Sequence, residues 1–454
     1  MKQIIIVIVL FLLTLPSFSQ NDSVFVRKIY DEALEKGQAH ENLRYLCKNI
    51  GARITASAEA EMAVRWGFEL LKSYAFDSVY LQETKVPHWE RGTTEAAWIS
   101  NSSNQYLKLN VLALGGSVAT NGLIEAEVVV VQTIDELKTK SAKEIKDKIV
   151  FINQAFDQKF INTFSSYGHC YPIRANGASE ASKLGAKAVI IRSLSTPTDH
   201  FAHTGVLNYD ETIKKIPAAA ISTKDADALI NWYAKEKIKF SLEMDCKTYP
   251  EAISYNVIGE MKGTKDNKII TFGGHLDSWD VGEGAHDDGA GIVHSIETLR
   301  ILKQLNYKPN HTLRCVLFMN EENGNFGGNT YAQLAKQKKE QHIAAIESDR
   351  GGFLPIGFDV RGTDEQLKLV QQYQKLLFDY DLLKFKKGYS GVDISPLMDE
   401  YPEMIQIGIA INSQQYFNYH HSHADVFETV NKRELELGTA AMATIVYLLD
   451  KTLE

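Results

Sequence analysis

From about residue 250 onward, apolar runs of strand length alternate with helical segments, and this alternation admits few architectures. Lys268 to Phe272, Leu313 to Met319, Ala344 to Ile346 and Ile405 to Ile411 read as short buried strands. Between the first two, Ile292, Ile296, Leu299 and Leu302 fall on one face of a helix over residues 291–305. Strands alternating with helices build a mostly parallel α/β sheet. In such a sheet the ligand crevice lies beyond the carboxyl ends of the strands.

Upstream, Met62, Trp66, Leu70 and Leu71 recur near helical period between Ala58 and Tyr74. Residues 115–248 look self-contained: Val128 to Val131, Ile149 to Asn153 and Ala188 to Ile191 read as strands, with a short helix over Ala178 to Leu184. That stretch holds no dense cluster of metal-type ligands. With 454 residues, two or three domains are expected. Hydrophobic residues at 44% and charged residues at 23% exclude a disordered chain, a collagen-like repeat or a disulfide-dense miniature. The formal charge of -8, with no Lys/Arg block, argues against nucleic acid as a partner.

Residues 1–20 read as an export signal. Lys2 precedes the apolar run Ile4 to Leu13, and the small-residue stretch Ser17-Phe18-Ser19 follows. The run is half the roughly 20 residues a membrane span needs, so no membrane anchor is expected. A secreted or periplasmic location follows. In an oxidising compartment Cys47, Cys170, Cys246 and Cys315 could pair in three ways, although Cys315 sits in a strand-like run that favours a buried thiol. None of the four has zinc-ligand spacing.

The candidate ligands follow the strands. His275 and Asp277 come after 268–272, where Gly273 and Gly274 allow a turn. His275 can bind a metal, and Asp277 can take its other ring N–H. Asp287 and Asp288 lie in a glycine-rich turn opening a helix, with His286 read as a neighbour rather than a ligand. Glu321 and Glu322 follow 313–319. Adjacent acids there call for a compensating cation, one acid binding it and the other serving as base. Asp349 follows 344–346. His420, His421 and His423 follow 405–411, and spacing alone admits His421 or His423 as the ligand. Oxygen and nitrogen donors without cysteine suit a catalytic zinc site, with two metals about 3.5–4 Å apart.

The ordered segments GGHLDSWD, GAHDDGAG, EENG, ESD and HHSHAD resemble the aminopeptidase Y/carboxypeptidase Q family of co-catalytic zinc exopeptidases, and its carboxypeptidase Q branch in particular. The resemblance is strong over 250–454 and weaker over 24–114. It implies a phosphorylase/hydrolase-like α/β sandwich with a mixed, mostly parallel central sheet. The catalytic domain would comprise 21–114 and 249–454, and 115–248 would be an inserted protease-associated domain. It implies two Zn2+ per chain. His275 and Asp349 would hold one, Glu322 and His421 the other, with Asp287 bridging and a cis peptide to Asp288. Asp277 would orient His275, and Glu321 would be the general base. His421 is preferred because the family places its last His four residues before an Asp, here Asp425. Where the family usually has Thr next, this chain has Val426, which touches a supporting hydrogen bond rather than the ligand.

The expected activity is hydrolysis of dipeptides or short peptides, and the branch suggests a homodimer. No substrate-binding residue can be assigned, although Gly388 to Asp393 lies where related enzymes build a substrate wall. Two other readings share the fold. A binding ectodomain would have lost ligands or the base, and a glutaminyl cyclase-like acyltransferase would use one zinc; the full ligand set disfavours both.

Overall fold

The computed structural model describes residues 20–453. The segment read as an export signal lies outside the described residues, apart from Gln20, where the first helix begins. Two eight-stranded mixed sheets organise the chain.

The first sheet has the order Ser78–Glu90, Lys247–Met261, Thr312–Phe318, Lys268–His275, Gln341–Glu347, Ile405–Ile411, Pro355–Arg361, Lys384–Lys387. Its middle strands are parallel and buried on both faces, as their unbroken apolar runs require. The long pair Ser78–Glu90 and Lys247–Met261 is antiparallel, and Pro355–Arg361 runs antiparallel to Ile405–Ile411. The register sets His275 beside Phe318 and Gly273 beside Glu347, so the loops carrying the candidate ligands leave one rim.

The expected helix over 291–305 is Ala290–Gln304, but it is not one-sided: every residue from Ala290 to Leu302 is buried. It lies under the C-terminal helix Lys432–Thr452, with His294 bonded to the Leu435 carbonyl at 3.0 Å. Gly273 and Gly274 do not turn the chain; both lie within the strand. A Cβ at Gly274 would overlap the Asp288 carboxylate, so the residue serves close approach instead.

The second sheet has the order Tyr106–Leu109, Glu95–Ser100, Lys239–Met244, Ile124–Val131, Ile149–Ile152, Ala188–Arg192, Ala218–Ile221, Val111–Ala113. Glu95–Ser100 and Tyr106–Leu109 therefore pair here, ahead of the boundary expected at 114, because Lys239–Met244 takes Glu95–Ser100 as an antiparallel neighbour. The short helix read over 178–184 is the end of a longer one, Thr163–Lys183, which carries Pro172 in its interior. The two sheets are locked together at Trp279. This residue leaves the rim of the first sheet and enters the apolar core of the second, where a Cβ on Gly115 would collide with its ring. Arg91 adds a bidentate pair to Asp280, at 2.6 and 2.8 Å.

All four cysteines are buried and unpaired. Among the described residues, no helix is long and apolar enough to cross a membrane.

Candidate metal centre

The strand Lys268–His275 delivers His275 fully buried to the rim. Its Nδ1–H donates to the main-chain carbonyl of Asp277 at 3.0 Å, which leaves Nε2 as the nitrogen turned to the cluster. That Nε2 faces Asp287 Oδ1 at 3.2 Å and Asp349 Oδ1 at 3.5 Å. The orienting atom is thus the backbone of Asp277, with its carboxylate 3.8 Å away. The carboxylate instead takes the backbone N–H groups of Asn320, Glu321 and Glu322 at 2.7, 3.1 and 3.3 Å, and the Thr55 hydroxyl at 3.1 Å. Asp277 therefore clamps the loop that carries the two glutamates.

Asp287 sits at the centre. Its Oδ2 lies 3.1 Å from His421 Nε2, which is also 3.1 Å from Glu322 Oε2. The Asp287–Asp288 peptide is cis. Asp288 turns away from the cluster, accepting from the backbone N–H groups of His275 and Gly291 at 3.0 Å each. Asp425 accepts from the backbone N–H groups of His286 and Asp287, at 2.7 and 3.1 Å, and so holds the turn from the far side. His286 stacks on Phe353 at 4.2 Å and accepts from Gly352 N–H at 3.2 Å, a packed neighbour of the cluster.

His421 occupies the left-handed region at φ 59, a sparsely populated conformation for a non-glycine residue and one concentrated at functional sites. Its Nδ1 lies 3.3 Å from the carbonyl of Thr204, in the second unit. Its Nε2 is the ring nitrogen that faces Asp287 and Glu322. His423 is exposed. His420 stacks on His421 at 3.5 Å, with its Nε2 3.6 Å from Asp287.

Burial disfavours the charged form of every acid here. It pushes Glu322 up to about 7, with Asp287 adding to the rise, and it raises Glu321 and Asp349 as well. His421 is held up at about 9 against its own burial, because Glu322 and Asp287 face it. Asp287 falls well below the usual range despite burial, through His275 and His421. The donor set fits divalent cations. Asp287 Oδ2 and Glu322 Oε1 are buried without a hydrogen-bond partner, and both histidines turn Nε2 toward carboxylates.

The cluster opens into a cavity of about 650 Å³. Glu321, Glu322, Asp287 and Asp349 line its floor. Gly388, Tyr389 and Val392 line one wall, from the loop expected there. Buried Glu347 holds that loop by accepting from the N–H groups of Val392 and Ile394, at 2.9 Å each. Tyr167, Tyr171 and Arg174, from the helix Thr163–Lys183, line another wall. Sequence reasoning missed these three, although their spacing of four and then three residues puts them on one helical face.

This is the floor of a metallo-exopeptidase: a rim of carboxylate and imidazole donors opening on a peptide-sized cleft. The profile of peptidase family M28 matches residues 256–446. Mouse carboxypeptidase Q is 33% identical over 422 residues, spanning 91% of this chain and 86% of that protein. Human carboxypeptidase Q is 34% identical over 430 residues, spanning 93% and 86%. A peptidase M28 precursor from Shewanella amazonensis SB2B superposes with a TM-score of 0.90 at 32% identity, covering 96% of this chain and 98% of that one. A zinc aminopeptidase from Bacillus subtilis shares the fold at a TM-score of 0.64 and 20% identity, over 90% and 94%. The chain belongs to peptidase family M28, and its substrates are peptides.

Proposed function

We propose that the protein is an exported exopeptidase that hydrolyses dipeptides or short peptides at a pair of zinc ions. The observation that carries this reading is the double-sided placement of Asp287, one oxygen toward His275 and the other toward His421. His275 and Asp349 would hold one ion, Glu322 and His421 the other, and Asp287 both. Zinc supplies a Lewis acid for the peptide carbonyl and acidifies water to a pKa of about 7. Zinc is also the metal of the Bacillus subtilis aminopeptidase that shares the fold. Glu321, on the cavity floor, takes the proton of the attacking water and passes it to the leaving amine. Asp277 keeps Glu321 and Glu322 in register, and Thr204 lies beside the His421 ring. The second sheet and its helices are read as the inserted protease-associated domain.

The test joins substitution to metal content. Glu321→Gln should keep close to two zincs per chain and lose on the order of 10²- to 10⁴-fold in kcat. Chelation should abolish activity, and zinc or cobalt should restore it. Unchanged kcat in the variant removes Glu321 from the base role, and full activity in metal-free protein refutes the metal mechanism. One zinc per chain would point to the cyclase chemistry instead.

A further inference from the structure

His421 holds a left-handed backbone, at φ 59. A residue bearing a Cβ keeps that conformation only where its surroundings impose it. Two peptide planes meet at its Cα, and fixing both planes fixes φ and ψ together. The plane before it carries the His420 carbonyl, which accepts from His203 Nδ1–H at 2.6 Å. The plane after it carries the His421 carbonyl, which accepts from Thr204 N–H at 2.9 Å. Ser422 N–H, in that same plane, donates to the Tyr419 carbonyl at 3.1 Å. The donors to the two carbonyls are thus consecutive residues of the second unit, and both are anchored to its sheet. Ser193 Oγ, just past the strand Ala188–Arg192, accepts from His203 N–H at 2.9 Å and donates to the Ile221 carbonyl at 2.7 Å. Thr204 Oγ1 donates to the Ala113 carbonyl at 2.7 Å. His203 is 1% exposed, and its Nε2 is buried with no partner. An orphaned buried nitrogen carries a cost that an apolar residue would avoid, so packing alone does not account for a histidine here. The Nδ1–H bond does.

We propose that His203 is a positioning residue of the metal centre: its hydrogen bond to the His420 carbonyl sets the backbone that aims His421 Nε2 at Asp287 and Glu322, 3.1 Å from each. This rests on the two-ion reading above. Without that bond the peptide between His420 and His421 can rotate, and His421 relaxes toward the ordinary regions of the backbone map. Its imidazole then turns away, which leaves that half of the site with only Glu322 and Asp287. The other half keeps its donors, because the strand Lys268–His275 and the segment after Gln341–Glu347 present His275 and Asp349 independently of the second unit. The second unit therefore completes the metal site as well as lining the cleft, and affinity for one ion of the pair depends on how the two sheets pack.

The test reads zinc affinity on the full chain, dialysed against graded free-zinc buffers and analysed for bound metal. Wild type should fill in two steps. His421→Ala should remove one of them, which marks that step as the half of the site holding Glu322 and His421. Asparagine sets an amide N–H near the place of imidazole Nδ1, whereas glutamine sets it near Nε2. His203→Gln should weaken the marked step by about 10- to 100-fold, the usual effect of losing a partner behind a ligand, and leave the other step within about threefold. His203→Asn should hold the marked step within about threefold of wild type. Ser193→Ala frees the His203 backbone and spares its ring, so it should weaken the same step by a smaller factor; it carries the test if His203→Gln does not fold. An unshifted marked step in the folded variants overturns the proposal. So do equal losses in His203→Gln and His203→Asn, and a parallel loss in both steps, which general loosening of the fold would give. All of these leave the two-ion reading standing, whereas wild type that binds fewer than two zincs overturns both.

Discussion

Asp277→Asn isolates one hydrogen-bonding device. The native carboxylate is fully buried and accepts four bonds, two at each oxygen. Asparagine keeps the shape but turns one oxygen into a donor. With the amide oxygen toward Asn320 and Glu321, those two bonds lose their charge assistance, and the new NH2 meets the N–H of Glu322. Bonds to charged acceptors contribute about 1.5–3 kcal/mol against about 0.5–1.5 for neutral ones, and an orphaned buried donor costs about 1–3. The native Glu322 bond is long, at 3.3 Å, so the low end applies there and the total comes to about 2–4 kcal/mol. That free energy is lost in the loop presenting Glu321 and Glu322. A displacement near 1 Å of such groups costs on the order of 10²-fold in rate. The His275 tautomer should survive, because its partner is the main-chain carbonyl. Steady-state kinetics at saturating zinc, metal analysis and thermal unfolding read the outcome: a lower Tm and a kcat down about 10²-fold. Wild-type kcat at saturating zinc would refute the clamp, since it would leave the carboxylate no role in placing Glu321.

Two further outcomes follow from buried groups nearby. Glu436 is 2% exposed, accepts from His40 N–H at 3.3 Å and is pushed up to about 7 by burial. Its folded value lies above the unfolded one, so its protonated form stabilises the fold at low pH, and that contribution is lost as pH rises from about 4.5 through 7. Glu436→Gln should therefore raise Tm relative to wild type at pH 8 by up to about 3 kcal/mol of stability, and not at pH 4; equal curves at both pH values would contradict the assignment. Gly391 sits at φ 152, and a Cβ there would overlap the Glu347 carboxylate that holds Val392 and Ile394. Gly391→Ala should cost about 1–3 kcal/mol by overpacking and lower kcat/KM for every dipeptide tested; unchanged kinetics would remove this loop from the pocket.

How far the sequence reads depends on the range of the interaction. Ile405–Ile411 is legible because seven apolar residues in a row suit only a strand covered on both faces. His275, Glu322 and Asp349 are legible because polar residues at the ends of such runs meet at a rim. The helix Ala290–Gln304 is less so: its periodic apolar face gave no sign that Glu297 and Arg300 on the other side are buried too, bonded to Gln38 and Glu32 more than 250 residues upstream.

The amino-acid sequence alone determined that donors of oxygen and nitrogen gather at one sheet edge, since strand patterning and the residues after each strand are local properties. Only the folded chain sets His421 Nε2 3.1 Å from both Asp287 and Glu322. That placement comes with a left-handed backbone at His421 and a carbonyl supplied by Thr204, 217 residues distant. The same packing of two units brings Arg174 beside His421 across 247 residues. Periodicity carries no record of such contacts, because they arise from how separate surfaces close on each other.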